Sequence, residues 1–222
     1  MNAFISNVLW FFSISVSAYL SGSILWAIIV SKISGQDVRK LGTQNPGMAN
    51  TTRELGAKYG SVVLIGDVLT AFFTLFVIKY LLQNVFDLHP SAFIVFTTVF
   101  LLGAFFPIFH SFKGGSGLAK LLGILLTLNP LAFLINAPLA ILFLFTIKNT
   151  EWKFVGAAVY IVISTIILSS SFEYSYDAIR LQYIFPDFWG GVCIIFSGLL
   201  VLIRSEYQYG LFFLKFLKRF KL

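Results

Sequence analysis

The chain has one cysteine, two histidines and only 11% charged residues in a length of 222. Cys193 has no partner for an intrachain disulfide and sits in an apolar run, where a thiol is inert packing. His89 and His110 are too few for a histidine-rich metal site. No metal and no cofactor are therefore expected. A soluble domain carries about 25% charged residues. Here 58% of residues are hydrophobic, 18% are aromatic, and the mean hydropathy is +0.90. A chain of this size cannot hide so much apolar surface from water, so lipid must be its solvent. Soluble enzymes, disordered tails and disulfide scaffolds are excluded on that ground.

Acidic residues are also scarce, 9 against 16 Lys and Arg, for a net charge of +7. A basic chain invites a nucleic-acid reading, but these cations lie in the gaps between apolar runs. That placement marks membrane orientation, with anionic lipid as the partner and no nucleic acid.

What the chain does have is long apolar runs, at 4–33, 61–82, 91–112, 118–147, 154–171 and 185–203. Each approaches the roughly 20 residues that cross a bilayer as a helix. The run 4–33 reads as a span and not as a cleaved signal, because no basic segment precedes it. The run 118–147 would make a helix of about 45 Å at 1.5 Å per residue, too long for one span. Asn129-Pro130 breaks it, since proline disfavours helix at the residue before it. Two short helices there give about seven spans in an all-α integral membrane fold. With the N-terminus outside, 14 of the 16 Lys and Arg fall on the cytoplasmic face, leaving Lys79 and Arg180 outside. Six spans would separate the basic C-terminal tail from the first basic loop, so positive-inside favours seven. Residues 1–222 read as a single membrane domain, and 207–222 as a basic amphipathic tail lying in the interface.

Three polar features interrupt this apolar background. The loop 35–60 carries Arg39, Gly42, Thr43, Asn45, Gly47, Asn50, Arg53 and Gly56. Glycine and asparagine accept turn conformations in which backbone N–H groups converge on an anion, and arginine forks grip phosphate. A flexible solvated loop explains the same composition about equally well. The second feature is Lys113-Gly114-Gly115-Ser116-Gly117-Leu118-Ala119-Lys120. A glycine loop opening a helix aims free N–H donors and the positive dipole end at one spot. A tight turn is the plainer reading, and no Walker A pattern is present. The third is Asp67, an ionisable group within an apolar run, which needs a cation, water or protein to face; it reads as a functional-site residue or as a structural bond to an arginine or loop amide. Together they define a pocket on one membrane face that holds phosphate beside lipid. The Gly114-x-Ser116-Gly117 string also suggests a serine nucleophile, but no histidine follows His110 to serve as its base. A transporter with a broken helix at Pro130 is a further class, opposed by the lack of internal repeats.

Gly22-Ser23, then the spacing Gly35-x-Asp37-x-Arg39-x-x-Gly42-x-x-Asn45-x-Gly47-x-x-Asn50-x-x-Arg53-x-x-Gly56-x-x-x-Gly60, then Asp67, resembles the first motif of the bacterial acyl-phosphate:glycerol-3-phosphate acyltransferases (PlsY-type). Gly103-x-x-Phe106-Pro107-x-Phe109-x-x-Phe112-Lys113-Gly114-Gly115-x-Gly117 resembles their second. The resemblance covers most of the chain. It implies transfer of a fatty acyl group from acyl phosphate to the 1-hydroxyl of glycerol 3-phosphate, giving lysophosphatidic acid at the cytoplasmic face of the bacterial plasma membrane. It further implies catalytic roles for Asn45, Asp67, Lys113 and Ser116. Arg39, Gly42, Thr43, Gly47, Asn50, Arg53, Gly114, Gly115, Gly117 and Lys120 would bind substrate phosphate.

Five positions depart from the family pattern. Thr43 stands for serine, Ser116 for lysine, Ala104 for histidine and Thr70-Ala71 for lysine-glycine. Arg204-Ser-Glu206-Tyr-Gln208-Tyr-Gly210 preserves little of the third motif. Lys120, one turn beyond Ser116, is expected to replace the missing cation, because i and i+4 share a helix face. The alternative reading is a divergent member with another donor or acceptor, or a lipid-phosphate binder without turnover.

Overall fold

The computed structural model describes residues 3–85, 91–146, 156, 159–160, 162–163, 166 and 188–209. Among them every regular element is helical: α1 (Ala3–Gly22), α2 (Trp26–Ser34), α3 (Met48–Leu55), α4 (Ala57–Asn84), α5 (Ala92–Phe105), α6 (Leu118–Leu128), α7 (Pro130–Thr146) and α8 (Phe188–Tyr209). Single 3-10 turns cover Val38–Lys40 and Ile108–His110. The chain divides into two compact units, Met1–Thr127 and Leu128–Leu222.

In the first unit, α1 has 20 residues, a length of about 30 Å, which matches a hydrocarbon core. Ile5, Val8, Leu9, Trp10 and Phe12 are exposed along it, as lipid-facing residues are. Its serines stay compatible with lipid by bonding back one turn: Ser13 Oγ donates to Leu9 O at 2.8 Å and Ser17 Oγ to Ser13 O at 2.9 Å. The helix packs closely on α5. A Cβ at Gly22 would overlap the Phe100 carbonyl, and one at Gly103 would overlap the Tyr19 carbonyl, so backbone meets backbone there.

The run 4–33, read from sequence as one span, is two helices. The chain leaves α1 at Gly22, passes through an extended Leu25 (φ −107°, ψ 104°) and re-enters helix at Trp26. No proline marks the break. Its cause is tertiary: Gly22-Ser23 is pressed against α5, and the freed backbone groups find partners on α4 and α6, as described below.

The span expected from residue 61 begins at Ala57, immediately after Gly56, whose φ of +97° separates α3 from α4. Trp26 locks α2 onto α4. Its ring covers Gly66, where any Cβ would collide, and its Nε1 donates to Thr70 Oγ1 at 2.9 Å. Ala27, Val30, Val38 and Val63 form a small core beneath the first loop, with Trp26, Met48, Leu55 and Tyr59 around it. On α6, a Cβ at Gly123 would lie 2.5 Å from the Val68 carbonyl of α4. Gly123→Leu is therefore expected to force α4 and α6 apart and lower the thermal midpoint in detergent by several degrees, as overpacking does at about 1–3 kcal/mol. An unchanged midpoint would refute that contact. Lys79, assigned to the outer side from sequence within the run 61–82, lies on α4, and its ammonium donates to the Thr127 carbonyl in the last turn of α6 at 3.4 Å.

In the second unit, α7 starts with Pro130, and Asn129 Oδ1 accepts from Ala132 N at 2.8 Å, an N-cap ahead of a first-turn proline. The break expected at Asn129-Pro130 is thus where the chain turns from α6 into α7. On α8, Cys193, Ile194, Ser197, Val201 and Ser205 are buried at helical spacing. Most of the run 154–171, and the tail from residue 210 onward, lie outside the described residues.

Candidate active site

The first loop is shaped by its own side chains. Gly35 ends α2 in a left-handed conformation (φ 73°). Asp37 Oδ1 then accepts from Arg39 N at 3.0 Å, which caps the 3-10 turn. The Arg39 fork closes on the same carboxylate, Nε to Oδ1 and Nη2 to Oδ2, both at 2.9 Å. The Arg39 guanidinium holds the Asp37 carboxyl below its ordinary range, and Asp37 raises Arg39 in return. The sequence reading gave Arg39 to phosphate; the structure gives its fork an internal partner. Because the pair is exposed, Asp37→Asn is expected to cost at most about 1 kcal/mol. Its contribution exists above the unfolded carboxylate value near 3.9 and disappears as pH falls through the lowered folded value. Wild-type and variant melting curves should therefore differ slightly at pH 7 and coincide at the acid end; a gap that widened on acidification would contradict this.

Asn50 fastens the next stretch. Its Oδ1 accepts from Thr43 N (3.0 Å) and Thr43 Oγ1 (3.1 Å), while its Nδ2 donates to Val38 O (2.9 Å) and Leu41 O (3.1 Å). An amide that makes all four bonds within the loop shapes it. Gly42 (φ 51°) lies so close to Glu54 and Asn50 that no Cβ fits. Asn45 and Pro46 are buried, Gly47 is the N-cap of α3, and Thr43 and Arg53 are exposed.

The second loop leaves α5 at Phe106. Phe112 N donates to Pro107 O (3.0 Å), Lys113 N to His110 O (3.1 Å) and Gly114 N to Phe105 O (3.2 Å), folding the tip back on the helix end. Ser111 and Phe112 both hold positive φ, 53° and 59°, a costly pair for non-glycine residues. Phe106, Ile108, Phe109 and Phe112 are exposed beside Lys113. Gly114 is sandwiched against the Ala104 and Phe105 carbonyls, and Gly117 takes φ 78° to enter α6. Ser116 is buried.

The two loops meet. A Cβ on Gly115 would stand 3.1 Å from Pro46 O and 3.2 Å from Asn45 Oδ1, so the glycine loop rests on the Asn45-Pro46 turn. His110 has Arg39 and Lys32 as its charged neighbours, so the motifs also converge electrostatically. Of the residues read from sequence, Asn45 and Gly115 meet at this junction, flanked along the chain by Gly47 on one loop and by Lys113, Gly114, Ser116 and Gly117 on the other.

Asp67 and Lys120 lie deeper. The Lys120 ammonium sits 3.0 Å from Asp67 Oδ1 and donates to the Ile24 carbonyl at 2.9 Å. The Asp67 carboxylate lies beside the Trp26 backbone N–H. The residues are only 6% and 2% exposed, and the Phe100 ring lies 5.6 Å from the ammonium. The sequence reading expected Lys120 to supply the cation missing at Ser116, and gave Asp67 either a catalytic role or a structural bond. In the structure each faces the other. Sequence reasoning also missed Ile24 and Trp26, whose contributions are backbone groups; Gly22-Ser23 inside an apolar run was the available signal.

Described residues that are helical throughout their regular elements, with bilayer-length apolar helices and two glycine-rich loops in contact, define the class: an integral membrane protein. The family model described as glycerol-3-phosphate acyltransferase matches residues 12–209, and the chain belongs to that family. Similar relatives include the glycerol-3-phosphate acyltransferase of Bacillus subtilis (strain 168), 40% identical over 149 residues, covering 67% of this chain and 74% of the relative. Glycerol-3-phosphate acyltransferase 2 of Bacillus cereus is 37% identical over 155 residues, covering 68% and 74%. The crystal structure of PlsY (YgiH), an integral membrane glycerol 3-phosphate acyltransferase, in its glycerol 3-phosphate form, superposes with a TM-score of 0.69 over 90% of each chain at 22% identity. That likeness establishes the shared fold.

Proposed function

We propose that this membrane acyltransferase moves a fatty acyl group from acyl phosphate to the 1-hydroxyl of glycerol 3-phosphate, giving lysophosphatidic acid for phospholipid synthesis. The observation that carries the reading is the contact of the two loops at Asn45-Pro46 and Gly115. Two anion-binding loops that touch suit a reaction in which both substrates carry phosphate. Acyl phosphate is an activated mixed anhydride, so the protein's task is to align two anions and stabilise the oxyanion of the tetrahedral intermediate. The hydroxyl oxygen attacks the acyl carbon, the acyl–phosphate bond breaks, and the departing phosphate carries away the hydroxyl proton. Asn45, Arg53, Thr43 and the amides of the first loop hold one phosphate. Lys113 and the amides at 114–117 face the other or the oxyanion, with Ser116 beside them. Arg39 and Asn50 serve by shaping the first loop. The curated relatives above share one activity name, and no observation favours a different acceptor.

The loops are placed on the cytoplasmic face of a bacterial plasma membrane, with the N-terminus outside, on the strength of the 14 of 16 cations that gather there. Cys193 is buried, so a cysteine at exposed Lys40 gives a nearly clean probe. Lys40→Cys is expected to react with an impermeant maleimide in inverted vesicles and not in intact cells; labelling of intact cells would reverse the orientation.

The decisive assay is mass-spectrometric detection of lysophosphatidic acid from protein in lipid discs supplied with palmitoyl phosphate and glycerol 3-phosphate. Lys113→Ala runs alongside, and acyl-CoA and acyl carrier protein serve as alternative donors. Product from acyl phosphate that disappears in Lys113→Ala supports the reading. No product from folded wild type with any donor would overturn it.

A further inference from the structure

We infer that Asp67 and Lys120 form one positioning unit that holds open the α1–α2 break and thereby sets the spacing of the two phosphate-holding loops. A helix broken inside a membrane leaves a carbonyl and an amide without partners, and lipid offers none. Here the ion pair supplies both. The cation takes the orphan Ile24 carbonyl at 2.9 Å, and the carboxylate faces the orphan Trp26 N–H at the start of α2. Each charge thus meets the backbone group of opposite polarity, and the pair bridges at 3.0 Å between them.

The anchor points explain what the unit controls. Lys120 lies in the first turn of α6, directly after the glycine loop, and α2 runs from the break into the first loop. Asp67 stands on α4, against which both α2 and α6 pack through Trp26–Thr70 and Gly123–Val68. A shift of α2 relative to α6 therefore moves Asn45-Pro46 relative to Gly115. Neither charge touches the loop junction, so the effect on chemistry passes through loop position. The inference rests on the proposed roles of the two loops.

The polarity match makes a strong test. Exchanging the charges, Asp67→Lys with Lys120→Asp, preserves an ion pair but sets an anion against the Ile24 carbonyl and a cation against the Trp26 N–H. If the pair merely neutralises itself, the exchange restores function. If it positions the break, the exchange stays as damaged as Lys120→Met. Kinetics are measured in lipid discs for Lys120→Met, Asp67→Asn and the exchange. A general loss of folded protein lowers Vmax and leaves KM alone, whereas displaced loops raise KM for both substrates, here by about tenfold or more with a fall in kcat. Asp67→Asn keeps the side-chain volume and one acceptor for Trp26, so it is the variant least prone to misfold.

An independent readout needs no turnover. Spin labels on cysteines at Lys40 and Ser111, one on each loop, in a Cys193→Ala background report the loop spacing by pulsed EPR. A broadened or shifted distance in Lys120→Met and in the exchange supports the inference even if wild type makes no product, an outcome that would sink only the proposed reaction. Unchanged distances with unchanged KM values in folded variants, or full rescue by the exchange, would overturn it.

Discussion

Gly114→Ala is expected to reduce turnover to below about 1% of wild type. The added carbon would overlap the Ala104 carbonyl and stand 2.7 Å from Pro107 Cδ and 2.8 Å from the Phe105 carbonyl. All three neighbours are fixed, two of them backbone oxygens at the end of α5 and the third a proline ring. The loop has to lift off, which breaks the Gly114 N–H bond to Phe105 O and carries Gly115 away from Asn45-Pro46. Gly35→Ala is the control. It shares the glycine-to-alanine change and has a positive φ of 73°, but nothing lies within 4 Å of the new carbon. Its cost is the left-handed strain alone, about 1–2 kcal/mol. Product formation and thermal midpoint, measured together, check the pair. Comparable damage from both substitutions would mean that backbone strain and not the close approach governs the loop.

The second large effect is expected from Asn50→Ala. The substitution removes four hydrogen bonds at once and leaves Thr43 N–H, Val38 O and Leu41 O to find water. With buried unsatisfied groups at about 1–3 kcal/mol each and partial access to solvent, a loss of about 2–4 kcal/mol is expected. Activity should fall more steeply than stability, because the bonds that disappear hold the residues beside Asn45. Asn50→Asp sharpens the comparison: it keeps the acceptor for Thr43 and loses the donors to Val38 and Leu41. An intermediate midpoint and partial activity are expected. Full activity in Asn50→Ala would show that the loop's shape is held elsewhere, and that the amide is dispensable.

Much of this was legible in the sequence because the responsible signals are local. Apolar runs of bilayer length gave the helices, proline gave the break after Asn129, and glycine spacing gave both loops. What stayed hidden depends on pairs far apart in the chain. Beyond Gly22-Ser23 itself little announces a helix break there, since the groups that complete it come from α4 and α6. Arg39 and Lys120 carry the charge a phosphate site wants, and composition alone cannot tell a cation facing a ligand from one facing Asp37 or Asp67. Helical phase placed Lys120 under Ser116, but Ser116 precedes the helix, so the shared-face argument had no helix to act on there. Asn50 looked like a ligand residue for a related reason: an asparagine that builds a loop and one that binds within it have the same sequence signature.

The broken first span has a consequence for how the chain is made. The carbonyl at Ile24 receives its cation from a residue synthesised 96 positions later. A ribosome that has released α1 and α2 into the bilayer has not yet made α6, and the stretch 4–33 is apolar enough to persist as one straight helix meanwhile. The carbonyl freed at the bend is therefore partnered only after the insertion of α6. The active site is finished by one of its later-arriving parts.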